Sequence, residues 1–339
     1  MLILEPPRWR ARQAAHRDRV DAWLRPFLRR RERGEKHPVE DFLFTYYPHR
    51  PARLRRWHPG AGVGLAGADE HLTYGGYGRY GAGVVTADPA HLPPARLAGF
   101  ARTADLLRRT SSRPAHLGCF GLHEWAMVYR IPPGEVRHAA HPLRLPSAAI
   151  DALVDSLPVN CTHFDAYRFF TPAARPLNRL TPTRAGQPDL EQPGCLHANM
   201  DLYKWAYRAE PYLRSELVAD CFALARDIRA VDMRASPYDL AELGYPPIAI
   251  ETPAGRAEYA AAQRGFAERA RPLRLALLAA YTQLAQAGPA DQAAASVVSV
   301  GCAGELPAGS ARRTGDPERA AAAAGRADRA GAGGDGAPG

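Results

Sequence analysis

NMDLYKWAYRAE at residues 199–210, SELVADCFALARDIRAVDM at 215–233 and GRAEYAAAQRGFAERARPLRLALLAAYTQL at 255–284 decide the fold of this chain. In each stretch apolar residues return every three or four positions, the period of an α-helix with one buried face. Pro272 lies in the middle of the third stretch, where it removes one backbone donor. From Ala198 onward helices dominate, and 244–252 reads as an extended connection between them. The predicted fold class is α+β, predominantly α-helical, with an irregular Gly/Pro-rich middle, a helical C-terminal third and a disordered tail.

Toward the N-terminus, residues 6–33 read as one or two amphipathic helices. Trp9, Val20, Trp23, Phe27 and Leu28 share a face with arginines opposite, and Pro26 predicts a kink or a break. Gly34 suits a helix end, and Pro38 sits where a first helical turn tolerates it, before the apolar-aromatic stretch 41–47. Pro51 opens a short basic helix that Gly60 stops. The Gly- and aromatic-rich stretch 58–94 reads as loop with one short strand at 83–86. Helices are expected at 95–110 and 147–157, a strand pair at 134–146, and a Pro-rich loop at 171–193. One globular domain over 1–288 results, with a basic helical segment at 6–60, a mixed middle at 61–193 and helices at 194–288. Residues 289–339 carry Ala, Gly, Arg and Asp without periodic apolar residues. They cannot bury enough surface to offset ordering entropy and are expected to be a disordered tail.

Composition narrows the function classes. The chain has 339 residues, 46% of them apolar, and a net charge of +9. No run of eighteen apolar residues exists, and the apolar run of MLILEPPRWRARQ is too short for a signal-peptide core. A cytoplasmic protein without a membrane partner is expected. Cys119, Cys161, Cys195, Cys221 and Cys302 are odd in number and widely spaced, so neither a disulfide framework nor a disulfide-linked partner is expected. Residues 1–60 hold 15 Lys and Arg against 7 Asp and Glu, so most of the positive excess sits at the front of the chain. A localised basic segment attracts polyanions, which makes DNA the expected partner. Arg29, Arg30, Arg53, Arg55, Arg56 and Arg79 are the candidate phosphate contacts. Tyr74 to Tyr80, YGGYGRY, adds aromatic faces beside Arg79.

Chemistry-bearing residues fall into two sets. The first is His123, Glu124, His163, His197 and Asp201, with Asp220 and Asp227 on a later helix. His197 and Asp201 share a helix face at a spacing of four. Imidazoles and carboxylates mixed in this way suit Zn, Fe or Mn, so His123, His163, His197 and Asp201 are candidate ligands of a divalent metal. Structural hydrogen bonding explains the same residues without a cofactor. The second set interleaves aromatic and polar residues: Trp125 and Tyr129, then Tyr167 and Arg168, then Tyr203. Flat faces with polar groups at the edge suit a base extruded from a duplex. A carboxylate near the sugar stabilises the cation that forms as a glycosidic bond breaks, and Asp165 and Glu124 fit that role by type, with His163 beside them. The same aromatics at helical spacing also suit a core. HPGAGVGLAG at 58–67 loosely resembles a phosphate-holding hairpin with Asp88 downstream, but no basic helix follows it.

Six stretches carry a family likeness: HPVEDFLFTYYPHRPARLRRWHPG (37–60), FGLHEWAMVYR (120–130), CTHFDAYRFFTPAARPLN (161–178), GCLHANMDLYKWAYR (194–208), LARDIRAVDMRASPYDL (224–240) and PPIAIETPAGRAEYAAAQ (246–263). Over about residues 8 to 285 the chain resembles a bacterial family labelled 3-methyladenine DNA glycosylase. The resemblance implies excision of alkylated bases by cleavage of the N-glycosidic bond, without a cofactor, and it transfers no catalytic residue. After about residue 286 the likeness ends, as a divergent or frame-altered tail would make it. Three expectations stand side by side. One is a glycosylase using Asp165, Glu124 and His163, with Trp125, Tyr129, Tyr167, Arg168, Tyr203, His197 and Asp201 around the base. Another is a metal-dependent enzyme acting on a small molecule. The last is a non-catalytic nucleic-acid-binding protein.

Overall fold

The computed structural model describes residues 1–81, 83–132 and 140–287. The chain enters as strand β1 (Leu2–Leu4) and continues into helix α1 (Pro6–Glu32). Short helices α2 (Phe42–Tyr46) and α3 (Pro51–Leu54) follow. Strands β2 (Val63–Ala66), β3 (Tyr77–Arg79) and β4 (Val84–Ala87) lead to α4 (Pro94–Ser112). Short helices fill the middle: α5 (Leu122–Ala126), α6 (Ser147–Ser156), α7 (Phe164–Tyr167), α8 (Gln187–Leu190), α9 (Leu196–Met200) and α10 (Leu202–Arg208). Two long helices close the described chain, α11 (Ser215–Arg234) and α12 (Pro253–Ala285). The fold is mixed α+β and mostly helical, as the periodicity predicts.

α11 forms the axis. Val218, Cys221, Phe222, Ala225 and Ile228 repeat at helical spacing and are buried, and α1, α2, α3, α9, α10 and α12 all touch this helix. α12 lies along α4, its most extensive partner. The Thr252 side chain caps α12 by accepting from the Gly255 N–H, which satisfies one orphan donor of the first turn. Gly255 is required there for space, because a Cβ would sit 2.0 Å from the Ala249 carbonyl oxygen.

Three expectations are corrected. Pro26 does not divide α1, which runs unbroken from Pro6 to Glu32. Pro26 is on the exposed side, where water satisfies the carbonyl it leaves unpaired; Pro272 sits the same way in α12. The stretch 58–94 holds three strands, where one was expected. With β1 they form a sheet in the order β1-β2-β4-β3, in which β1 runs parallel to β2 and the other pairs are antiparallel. Gly64 and Gly78 interrupt the alternation that marks a strand, and the partner of β2 lies some sixty residues away at Leu2–Leu4. Leu4, Trp9, Trp57, Leu65, Ala68 and Val85 make a small core of their own under this sheet. The hairpin likeness at 58–67 also fails. Residues 63–66 are β2, and Gly60 is pressed against the backbone of Leu213 and Arg214. Asp88 accepts from the Ala90 N–H as an ordinary turn cap.

Of the strand pair expected at 134–146, residues 134–139 lie outside the described residues, and Leu143 makes an isolated antiparallel bridge with Tyr238. The tail expected at 289–339 also lies outside them. Among the described residues no helix is long and apolar enough to cross a membrane.

Candidate metal centre

His123 of α5, His197 of α9 and Asp232 of α11 come together beside a cavity of about 480 Å³. A left-handed turn at Phe120 (φ 44°) and Gly121 (φ 72°) launches α5 and drives it inward. A β-carbon at Gly121 would crowd the Tyr259 ring and the Ala235 methyl. Left-handed backbone at a phenylalanine costs about 1 kcal/mol or more, so the surrounding packing must hold it there.

This turn sets His123 against Asp232 of α11 and His197 of α9. The His123 Nε2 lies 3.0 Å from Asp232 Oδ1, yet neither atom completes a hydrogen bond, because the geometry is off line. The His197 ring meets His123 edge-on at 4.5 Å between centroids. The ligand atoms of His123, His197 and Asp232 lie within 4.8 Å of one another. His123 and His197 line the cavity, whereas Asp232 is fully buried behind them. Burial, with His123 beside it, lowers the His197 pKa to about 3. Burial alone would lower His123 too, but the Asp232 carboxylate outweighs it and raises that ring. Arg229, one turn back on α11, holds Asp232 at 3.3 Å and Glu124 at 3.1 Å.

A second group adjoins the first through His197, whose ring stacks on His163 at 5.4 Å. His163 Nε2 lies 3.2 Å from both Glu191 and Asp201. Asp201 also accepts from the Tyr47 hydroxyl at 2.9 Å and is held by Lys204. These atoms too are spaced as metal ligands are. Their charges are already met. Burial opposes the imidazolium, but Asp201 and Glu191 prevail and hold His163 up at about 10. Asp201 is pulled well below the carboxylate range, Lys204 overcoming the effect of burial. In both groups a buried ring nitrogen lacks a hydrogen bond, His123 Nε2 in the first and His163 Nδ1 in the second; the second is the denser ion network, and the first adjoins the cavity through His123 and His197.

The other expected residues divide plainly. His197 and Asp201 are neighbours, since the Asp201 N–H bonds the His197 carbonyl at 2.8 Å, but their side chains serve different groups. Glu124 is tied to Arg229. Asp165 faces Arg168 at 3.3 Å and Arg184 and Lys204 at 3.6 Å. Asp220 and Asp227 are surface partners of Arg19 and Arg269. Trp125 is fully buried and donates to the Ala235 carbonyl; Tyr129 donates to Asp155, and the Tyr203 hydroxyl meets His49. Tyr167 packs on Phe170. These rings build core instead of flanking the cavity, as helical spacing permits. Among the basic residues, Arg30, Arg55 and Arg79 are neutralised by Asp41, Asp21 and Asp69. Arg29, Arg53 and Arg56 are exposed, Arg56 lying over the Tyr74 ring.

Asp232 and Glu191 were missed by sequence reasoning. Asp232 had a signal: it stands in phase with Val218, Cys221, Ala225 and Ile228, a carboxylate inside the apolar stripe of α11. Asp220 and Asp227, chosen from the same helix, fall on its polar side. Glu191 has no such mark, because it follows the single-turn helix α8.

Cys119, Cys161 and Cys195 also line the cavity as free thiols. Burial pushes Cys161 up to about 12 and raises the other two, so they stay protonated as small apolar walls. Comparison with protein-family models, with curated proteins and with solved structures gives no match.

Proposed function

We propose that this protein is a metal-dependent enzyme acting on a small molecule, with His123, His197 and Asp232 as its metal ligands. The observation that carries the reading is the grouping of His123, His197 and Asp232: His123 Nε2 and Asp232 Oδ1 stand 3.0 Å apart as an ion pair without an aligned hydrogen bond, and the two imidazoles line a cavity. Buried polar atoms are nearly always hydrogen-bonded, so an imidazole nitrogen and a carboxylate oxygen held close without an aligned bond are open to a cation. Two imidazoles and one carboxylate suit zinc or iron and leave coordination positions open. The cavity, at about 480 Å³, is of the size that takes a small molecule. Arg229 orients Asp232 from behind, the kind of support that fixes a ligand's direction.

Elemental analysis of protein purified without chelator tests this. About one equivalent of transition metal per chain is expected, falling below about a tenth in Asp232→Ala and His197→Ala. Folded wild-type protein that carries no metal, and takes none up from zinc or ferrous salts, would refute it. The base-excision expectation is tested on the same preparation by release of free methylated base from alkylated duplex. Release that survives chelation and the His197→Ala change would favour that reading instead.

A further inference from the structure

A second cavity of about 360 Å³, sharing Ala115 and Leu117 with the first, lies between α12, the end of α4 and the loop before α9. Its floor is Arg274, 2% exposed. The Arg274 guanidinium donates to the Asn199 side-chain oxygen, but its Nε is buried without a partner. Among the described residues no carboxylate lies within ion-pairing distance of it, although salt bridges hold most other buried cations here, such as Arg229 and Lys204. The buried Glu191 carboxylate acts on it only from beyond contact distance, and a buried charge without a direct ion pair is unfavourable unless an anion completes it. Two more arginines, Arg264 and Arg271, stand at the exposed rim. Positions 264, 271 and 274 fall on one side of α12, at spacings of seven and three. Glu268 is the carboxylate in the lining, so three guanidiniums face one negative charge. Leu117, Pro193 and Ala267 supply apolar walls that would strengthen the attraction.

We propose that this cavity binds the phosphate group of a small phosphomonoester, with Arg274 at the floor and Arg264 and Arg271 closing over it. The net excess of two positive charges matches a phosphate dianion, and the forked donors of arginine match its oxygens. Burial of Arg274 between apolar walls selects a terminal phosphate over a backbone phosphodiester, which carries a single charge and a substituent on each side. The inference does not rest on the metal reading: Ala115 and Leu117 line both cavities, but the three arginines belong to this one and His123 and His197 to the other.

The test is calorimetric titration of the as-purified full chain with inorganic phosphate, glycerol phosphate and dimethyl phosphate at low ionic strength. Saturable binding of the first two is expected, and none of the diester. Arg264→Ala/Arg271→Ala, which alters exposed residues, should weaken phosphate binding by about tenfold or more while melting as wild type does. Arg274→Gln should abolish binding, with a circular-dichroism spectrum like that of wild type showing that the variant is folded. Absence of phosphate binding, equal binding of the diester, or binding unchanged in the rim variant would overturn the proposal. Metal content measured on the same samples reads the other site independently.

Discussion

Replacing Asp201 by Asn tests whether the second imidazole–carboxylate group is a closed ion network. Asn keeps the shape and can still accept from the Tyr47 hydroxyl, which sits 2.9 Å from Asp201. What disappears is the charge that Lys204 and the His163 imidazolium share. Both cations are buried or nearly so, with side chains 14% and 2% exposed. Breaking a buried pair from one side costs about 3–5 kcal/mol. Lys204 keeps Asp165 at 3.6 Å and His163 keeps Glu191 at 3.2 Å, so the lower end, about 3 kcal/mol, is expected. Lys204→Met should cost about 2 kcal/mol by the same logic, and the double variant about 1–3 kcal/mol less than the sum. Equilibrium urea unfolding measures all three, read as midpoint shifts at constant slope. A cost for Asp201→Asn below about 1 kcal/mol, or strict additivity, would refute the reasoning. Metal content should be unchanged, since Asp201 is not among the proposed ligands.

Other perturbations reach different parts of the fold. Burial, with His71 second, lowers the His58 pKa to about 3, so the native state holds this ring neutral. A folded-state pKa below the unfolded value gives stability that is full above pH 6.5 and is lost as the pH falls from there toward 3. Between pH 7 and pH 5 wild type should lose about 2 kcal/mol relative to His58→Gln, measured by urea unfolding at each pH. Gly255→Ala forces a methyl into the Ala249 carbonyl and should cost more than about 3 kcal/mol; a melting temperature within a degree or so of wild type would count against the tight α12 entry. Trp125→Phe strands the Ala235 carbonyl, 2.8 Å from the indole nitrogen, and should cost about 1–3 kcal/mol in chemical denaturation.

The long helices were legible because their apolar period is strong over many turns: α4, α11 and α12 fall within a few residues of their expected limits. The sheet was not, since strands of three or four residues containing Gly64 and Gly78 carry no alternation, and β1 finds its partner only through the tertiary fold. At the candidate site, His123, His163, His197 and Asp201 do gather, as their types suggested. The division into two groups was out of reach, because it depends on which carboxylates arrive from 191 and 232. The aromatic sandwich failed for a general reason: Trp125 and Tyr203 have polar tips that a core can satisfy locally, so their presence says little about a ligand.

Gln263 projects from α12 and is fully enclosed; its amide donates to the Gly194 carbonyl at 2.6 Å and to the His116 carbonyl at 3.3 Å. One carboxamide therefore rivets two stretches of the metal-side chamber wall to the same helix that carries the arginine-lined cleft. Neither stretch can drift outward without losing its bond to Gln263. A chamber of different width would have to be reached first at position 263, and only then at the walls themselves.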